Sequence, residues 1–208
     1  MYDASSDCLH DYEKGIWSSH ESMMNRLELS SRAVDWSKVG RWLDIGCGPG
    51  NFFSFMSRRM SFDLMVGCDI SYKMLRHAKN KNDAPNCFMI QGDAETLPFS
   101  GMRFDLVTMV GVLQASGAAA GRVIADCARC LHHGGQLLIT TKNIEWSAFT
   151  SGRLVPDTDI EWFRPGDIEA CFMANGITPK TVKGILPNEN RFVETADSHS
   201  ILLAGEKT

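Results

Sequence analysis

The sequence predicts an α/β protein built on a doubly wound, mostly parallel β-sheet. From Val39 onward, short apolar runs alternate with amphipathic stretches, which is typical of strands joined by crossover helices. A glycine-rich turn follows the first apolar run, and the second run ends on a carboxylate, Asp69. The chain has 208 residues, 44% of them hydrophobic and 22% charged, which is enough for one domain with a continuous core.

Seven apolar runs are interpreted as strands, at residues 41–46, 64–69, 87–91, 104–109, 135–140, 181–186 and 200–206. The first five are apolar enough to be buried on both faces of a sheet. The last two are joined by a short, turn-rich link, so we expect them to pair antiparallel. Helices are predicted after Ser71, before Gly134 and from Pro165 onward.

The flanking regions differ from this alternating pattern. Residues 11–35 are predicted to be helical, and residues 143–164 form an aromatic insert. We therefore expect a single domain over residues 1–208. Its parts are an N-terminal helical flap (1–38), a central ligand-binding core (39–142), and the insert with the C-terminal strands (143–208).

Composition excludes several classes of partner. The formal net charge is −4, from 21 basic and 25 acidic residues, which gives no positive field for nucleic acid or for an anionic membrane surface. No apolar run approaches the roughly 20 residues that span a bilayer. The polar N-terminus and the odd number of cysteines, seven, favour a reduced, cytoplasmic location.

The strongest motif is the strand-to-helix turn Asp44-Ile45-Gly46-Cys47-Gly48-Pro49-Gly50. Glycines at such a turn let the backbone bend sharply and approach a ligand closely. A dinucleotide fingerprint would place its third glycine where this chain has Asn51. Asp44 would also repel a pyrophosphate, so a positively charged ligand fits better.

Residues 41–142 resemble the class I S-adenosylmethionine-dependent methyltransferases, and particularly the small-molecule branch similar to quinone-biosynthesis enzymes. Besides the glycine turn, the segment from Gly92 to Phe99 resembles that family's G-D-A-x-x-L-P-F motif. The segment 129–135 resembles the lead-in to strand five, with His133 where proline is usual. The resemblance implies a Rossmann-like, seven-stranded sheet of order 3-2-1-4-5-7-6, with strand 7 antiparallel.

The resemblance also implies S-adenosylmethionine as cofactor and S-adenosylhomocysteine as product. By its motifs, the glycine turn holds the methionine part, Asp69 grips both ribose hydroxyls, and Asp93 accepts from the adenine amino group. The full set of cofactor-binding residues implied is Asp44, Gly46, Cys47, Gly48, Gly50, Asp69, Ile70, Met74, Asp93, Ala94 and Val110.

The expected reaction is direct transfer of a methyl group to an O, N or C atom of a small-molecule acceptor, such as a secondary metabolite or a cofactor-like compound. Direct transfer needs no covalent intermediate, so Cys47 is given a backbone role. Tyr12, Trp17, Gln114 and Trp146 are the candidate acceptor contacts. His20 is the candidate base, although the interpretation as a surface histidine is favoured over it. A monomer or a homodimer is expected.

Three alternatives remain open. The fold could bind the cofactor for a non-methylating reaction such as a cyclisation, or it could be a non-catalytic binding subunit. A nicotinamide dehydrogenase is the least favoured of the three.

Cys127 and Cys130, with His132 and His133, could be interpreted as a zinc site. Cys127 falls on the apolar face of a predicted helix, so core packing is favoured and no metal is expected.

Overall fold

The parallel half of the sheet follows the predicted order. The computed structural model describes residues 19–99, 103–115 and 120–208. Its first five strands are β1 (Arg41–Ile45), β2 (Leu64–Asp69), β3 (Cys87–Gln91), β4 (Phe104–Val110) and β5 (Leu131–Lys142). All four pairings among them are parallel and give the order β3-β2-β1-β4-β5. The order reverses beside β1, which creates a crevice outside the carboxyl ends of β1 and β4.

The C-terminal half of the sheet contains one strand more than predicted. β8 (Ser200–Lys207) lies antiparallel between β5 and β6 (Ile177–Leu186), as expected for the last strand. The additional strand is β7 (Arg191–Val193), which pairs antiparallel with the end of β6 at the sheet edge. The sheet therefore has eight strands, in the order β3-β2-β1-β4-β5-β8-β6-β7, instead of seven. Three residues are too few for an alternating pattern to be visible in the sequence.

Six helices are described: α1 (His20–Arg32), α2 (Asn51–Met56), α3 (Tyr72–Lys81), α4 (Ala120–Cys130), α5 (Ser147–Thr150) and α6 (Pro165–Ala174). The Ser19 side chain caps α1 by accepting from the Ser22 backbone, and Ser71 caps α3 in the same way. Pro165 occupies the first turn of α6, as predicted. The predicted N-terminal helix corresponds to α1 in part, since residues 11–18 lie outside the described residues.

The sheet has a hydrophobic core on each face. Trp42 lies on one face, with its ring centroid 4.9 Å from that of Phe52 and 4.6 Å from that of Phe53 in α2. On the other face, Leu43 belongs to the cluster that includes Ile124 of α4 and Phe172 of α6. Because both faces are covered, a ligand can reach the sheet only at its end.

The two cysteines of the C-x-x-C segment are part of this core. Cys127 and Cys130 are fully buried on α4, while His132 directs Nε2 to Asp105 Oδ1 at 2.6 Å. Within the described ranges, no three histidine, cysteine or acidic side chains form a group that could hold a metal ion. None of the described helices is long and apolar enough to cross a bilayer.

Candidate active site

A cavity of about 480 Å³ opens at the carboxyl ends of the parallel strands. This size is typical of a pocket for a small organic ligand. Ten of the predicted cofactor-binding residues line it: Asp44, Gly46, Cys47, Gly48, Asp69, Ile70, Met74, Asp93, Ala94 and Val110. Gly50 instead forms the N-cap of α2, where its positive φ of 73° turns the chain into the helix.

The glycine turn brings the backbone to the cavity wall. Gly46 has φ 65° and Gly48 has φ 52°, a left-handed conformation that other residues adopt at a cost. The backbone N–H groups of Gly46 and Cys47 both donate to Cys68 O, at 2.7 and 3.2 Å. A Cβ at Gly46 would overlap the side chain of Val112, which packs directly against this glycine. Gly46 thus has both a conformational and a steric reason to be glycine.

Asp69 links this turn to the next strand. It ends β2, and its two carboxylate oxygens accept from Gly48 N at 2.8 Å and from Ser71 N at 2.9 Å. These two bonds orient the carboxylate at the cavity wall. A carboxylate oxygen can accept more than one hydrogen bond, so Asp69 can also accept from a pair of adjacent hydroxyl groups.

Asp44 is the most deeply buried acid of the cavity wall, with 4% of its surface exposed. Thr108 Oγ1 donates to Asp44 Oδ1 at 2.6 Å, and Thr108 in turn accepts from Trp42 Nε1 at 2.8 Å. Burial raises the pKa of the Asp44 carboxyl group to about 7, with a further rise from the charge of Asp69, while the Thr108 hydrogen bond opposes it. A cationic ligand would restore the ionised form, since an opposite charge nearby favours the carboxylate.

Cys47 shares this acidic environment. Burial raises the pKa of its thiol well above the usual range, and the negative charges of Asp44 and Asp69 raise it further. The thiol is therefore protonated at neutral pH and is a poor nucleophile.

Asp93 follows β3 and shapes the third part of the cavity. Its Oδ1 accepts from Glu95 N at 2.9 Å, and its backbone carbonyl accepts from Thr96 N at 3.1 Å. A Cβ on the neighbouring Gly92 would come within 2.8 Å of Cys68 Sγ, so the chain passes close to β2 here. This tight turn directs Asp93 to the same end of the sheet as Asp69.

The residues predicted to contact the acceptor are placed differently from one another. Gln114 lines the cavity, where its amide donates to Gly111 O and accepts from Thr141 Oγ1. Trp146 lies outside the cavity lining, with its ring 5.1 Å from Phe149 and 5.4 Å from His199. His20 is exposed at the start of α1 and is not among the lining residues. Tyr12 and Trp17 lie outside the described residues.

Several lining residues were missed by the sequence analysis, and two of them are cations. Arg26 of α1 and Lys142 at the end of β5 line the cavity, together with Leu27 and Ile160. Burial lowers the pKa of Arg26 to about 10. Burial, and then the positive charge of Arg26, lower the pKa of Lys142 to about 8, while Asp157 opposes this. The one available signal was that Lys142 is the first charged residue after the apolar run of β5.

The polar groups of the cavity fit S-adenosylmethionine. Acids at the ends of β1, β2 and β3 match a ligand with an ammonium group, a ribose and an amino-purine, and Arg26 matches a carboxylate. The exposed Ile70 and the buried Met74 provide apolar surface beside Asp69 for a planar ring. The buried Asp44, with its raised pKa, is the clearest observation in favour of a cationic ligand.

Comparison with known proteins agrees with this fit. Residues 43–135 match a family described as a methyltransferase domain. The malonyl-[acyl-carrier protein] O-methyltransferase of Herminiimonas arsenicoxydans is 36% identical over 99 residues, covering 48% of this chain and 36% of that protein. The phthiotriol/phenolphthiotriol dimycocerosates methyltransferase 1 of Mycobacterium ulcerans is 30% identical over 144 residues, covering 64% of this chain and 49% of that protein. The chain thus spans less than half the length of either relative.

A similar fold occurs in the crystal structure of an S-adenosylmethionine-dependent methyltransferase from Mesorhizobium loti. The TM-score is 0.71 at 16% sequence identity, over 88% of this chain and 98% of that one. Sheet order, glycine turn and matched residues all agree: residues 43–135 are similar to a methyltransferase domain, and the chain shares the fold of an S-adenosylmethionine-dependent methyltransferase.

Proposed function

We propose that this protein transfers the methyl group of S-adenosylmethionine to an O, N or C atom of a small-molecule acceptor. The observation that carries the proposal is the division of charge in one cavity. Asp44 and Asp69 lie at the ends of β1 and β2, and Arg26 and Lys142 lie on α1 and β5. The first pair is suited to the cationic and hydroxyl groups of the cofactor, and Arg26 to its carboxylate.

Each part of the cofactor has a candidate partner. Asp69 would accept from both ribose hydroxyls, and Asp93 from the adenine amino group, with Ile70 and Met74 against the ring. Asp44 would hold the ammonium group beside Gly46, Gly48 and the Cys47 backbone. Ala94 and Val110 would complete the apolar wall.

Arg26 is placed to take the carboxylate of the methionine part. Helix α1 contacts the start of α2, since Asn51 Nδ2 lies 3.0 Å from Met23 Sδ. Arg26 is three residues after Met23 and so lies on the same face of α1, above the glycine turn. An arginine held there binds a carboxylate with two parallel hydrogen bonds.

When bound, the cofactor supplies an electrophilic sulfonium methyl group. The protein's own contribution is to align the acceptor with that group and to exclude water, and alignment alone can supply an effective molarity of about 10⁵ M or more. A general base is needed only for a weakly acidic acceptor. His20, the candidate from the sequence, would have to act from the exposed start of α1.

The cellular location, the oligomeric state and the role of the N-terminal segment are further proposals. We propose a cytoplasmic protein that acts as a monomer or a homodimer. The flap expected from the sequence over residues 1–38 stays a proposal, and residues 1–18 of it lie outside the described residues. The six cysteines within the described residues are free thiols, which supports a reducing compartment.

Calorimetric titration with S-adenosylmethionine, S-adenosylhomocysteine and NAD tests the cofactor. The proposal expects saturable one-to-one binding of the first two and no binding of NAD. Failure to bind S-adenosylmethionine, or binding of NAD alone, would refute it. Mass spectrometry of products from an acceptor library then separates methylation, which adds a methyl group, from a cyclisation, which leaves the cofactor unconsumed. A non-catalytic subunit would bind the cofactor and produce neither change.

A further inference from the structure

The cavity has a positively charged end that is distant from its acidic end. Lys142 is the last residue of β5, whereas Asp69 ends β2. In the order β2-β1-β4-β5 these strands are three spacings apart, which is about 14 Å at the usual ~4.8 Å between neighbouring strands. The two charges therefore serve different parts of a bound complex, and Lys142 lies on the side away from the ribose-binding acid.

Lys142 is a partly buried cation with little local compensation. Among the described residues, no carboxylate comes within ion-pairing distance of its ammonium group. Its Nζ lies 5.9 Å from the ring centroid of Trp162, and Asp157 acts on it only at longer range. Removing a cation from water without a partner costs free energy, and an anionic ligand would offset this cost.

Apart from Asp157, the ionisable neighbours of Lys142 add to the positive field or leave it unchanged. Arg26 faces it from α1, and His199 approaches from the turn before β8. Burial and the charges of Lys142 and Arg26 lower the pKa of His199 to about 4, so His199 is neutral at pH 7. Lys142 itself, with a pKa of about 8, remains mostly protonated there.

The cofactor offers one carboxylate for the two cations of the cavity. S-adenosylmethionine carries a single carboxylate, and Arg26 lies on the helix that contacts α2 beside the glycine turn. Lys142 instead lies beyond β4, where the preceding residue Thr141 donates to Gln114, and Ile160 of the insert lines the same cavity. That part of the cavity is left for the acceptor.

We infer, resting on the proposed function, that Lys142 binds an anionic oxygen group of the acceptor. The acceptor is then an organic acid or a phosphate ester, and Lys142 orients it toward the methyl group. Lys142 is a binding residue in this scheme, and it takes no part in breaking or forming the methyl bond.

Ligand-observed NMR titrations of the protein saturated with S-adenosylhomocysteine test this. The probes are benzoate, phenyl phosphate and the neutral benzamide, which share one ring. At least one anion should bind about tenfold or more tightly than benzamide, as expected for hydrogen bonds to charged groups. The better of the two anions identifies the acceptor group as a carboxylate or a phosphate.

Variants assign the effect to Lys142. Lys142→Met keeps most of the side chain's length and should remove the preference for the anion, while Lys142→Arg should retain it. Lys180→Met, at an exposed lysine of β6, is the matched control and should behave as the wild type. Urea unfolding of each variant checks that the fold is preserved.

Equal affinity for the anions and benzamide would overturn the inference, as would a preference that survives in Lys142→Met. Absence of binding by all three probes would overturn it too. If S-adenosylhomocysteine does not bind the wild type, the proposed function fails. The same comparison without S-adenosylhomocysteine then still measures whether Lys142 forms an anion site.

Discussion

Replacing Asp44 with asparagine should make the ligand-free protein more stable, and more so at alkaline than at acidic pH. Burial raises the pKa of the Asp44 carboxyl group from 3.8 to about 7. A carboxyl group with a raised pKa in the folded state favours folding below pH 3.8, and this contribution is lost as the pH rises through about 7. Asparagine removes the ionisation and can still accept from Thr108.

The size of the effect follows from the difference between the two pKa values. At about 1.4 kcal/mol per pKa unit, keeping Asp44 ionised in the folded protein costs about 4 kcal/mol at pH 8. At pH 5 Asp44 is already ionised in the unfolded chain but not in the folded protein, so the cost is about 1–2 kcal/mol. The stability gained by Asp44→Asn should therefore be greater at pH 8 by about 2–3 kcal/mol.

Urea unfolding followed by tryptophan fluorescence at pH 5 and pH 8 measures this difference. Asp83→Asn, at a side chain that is 82% exposed and ion-paired with Lys79, is the matched control. Asp44→Asn should also bind S-adenosylmethionine more weakly, because it loses the carboxylate that is proposed to face the ammonium group. An equal change in the free energy of unfolding at both pH values would refute the reasoning, since it would show that burial does not perturb Asp44.

Three further predictions concern the cavity wall and the core. Asp69→Ala should weaken S-adenosylhomocysteine binding about 100-fold by calorimetry, from the loss of two charge-assisted hydrogen bonds, whereas Asp83→Ala should leave it unchanged. Gly46→Ala should lower the free energy of unfolding by more than about 1–2 kcal/mol, from its positive φ and the steric overlap, while Gly166→Ala in the open first turn of α6 should not destabilise. Cys127, fully buried with a raised thiol pKa, should react with a thiol reagent only when urea unfolds the protein; reaction in the native state would place it outside the core.

The local sequence was sufficient to predict the parallel half of the sheet and the acidic end of the cavity. Runs such as 64–69 are apolar because both faces of the strand are buried, so the strand and its last residue, Asp69, are visible in the pattern. Gly46 and Gly48 are visible for a related reason, since a left-handed backbone restricts the residue type at that position. In both cases the constraint comes from a few neighbouring residues along the chain.

The cationic end of the cavity was decided by tertiary contacts. Arg26 and Lys142 are 116 positions apart, and neither belongs to a motif. They face the same cavity because α1 packs against α2 and because β5 lies beside β4. Trp146 appeared in the sequence as a wall of the site, yet packing against Phe149 and His199 places it outside the cavity lining. The acidic end depends on backbone geometry and local order, which leave a pattern in the sequence. The cationic end depends on which helix and which strand end meet in space, and only the folded chain determines that.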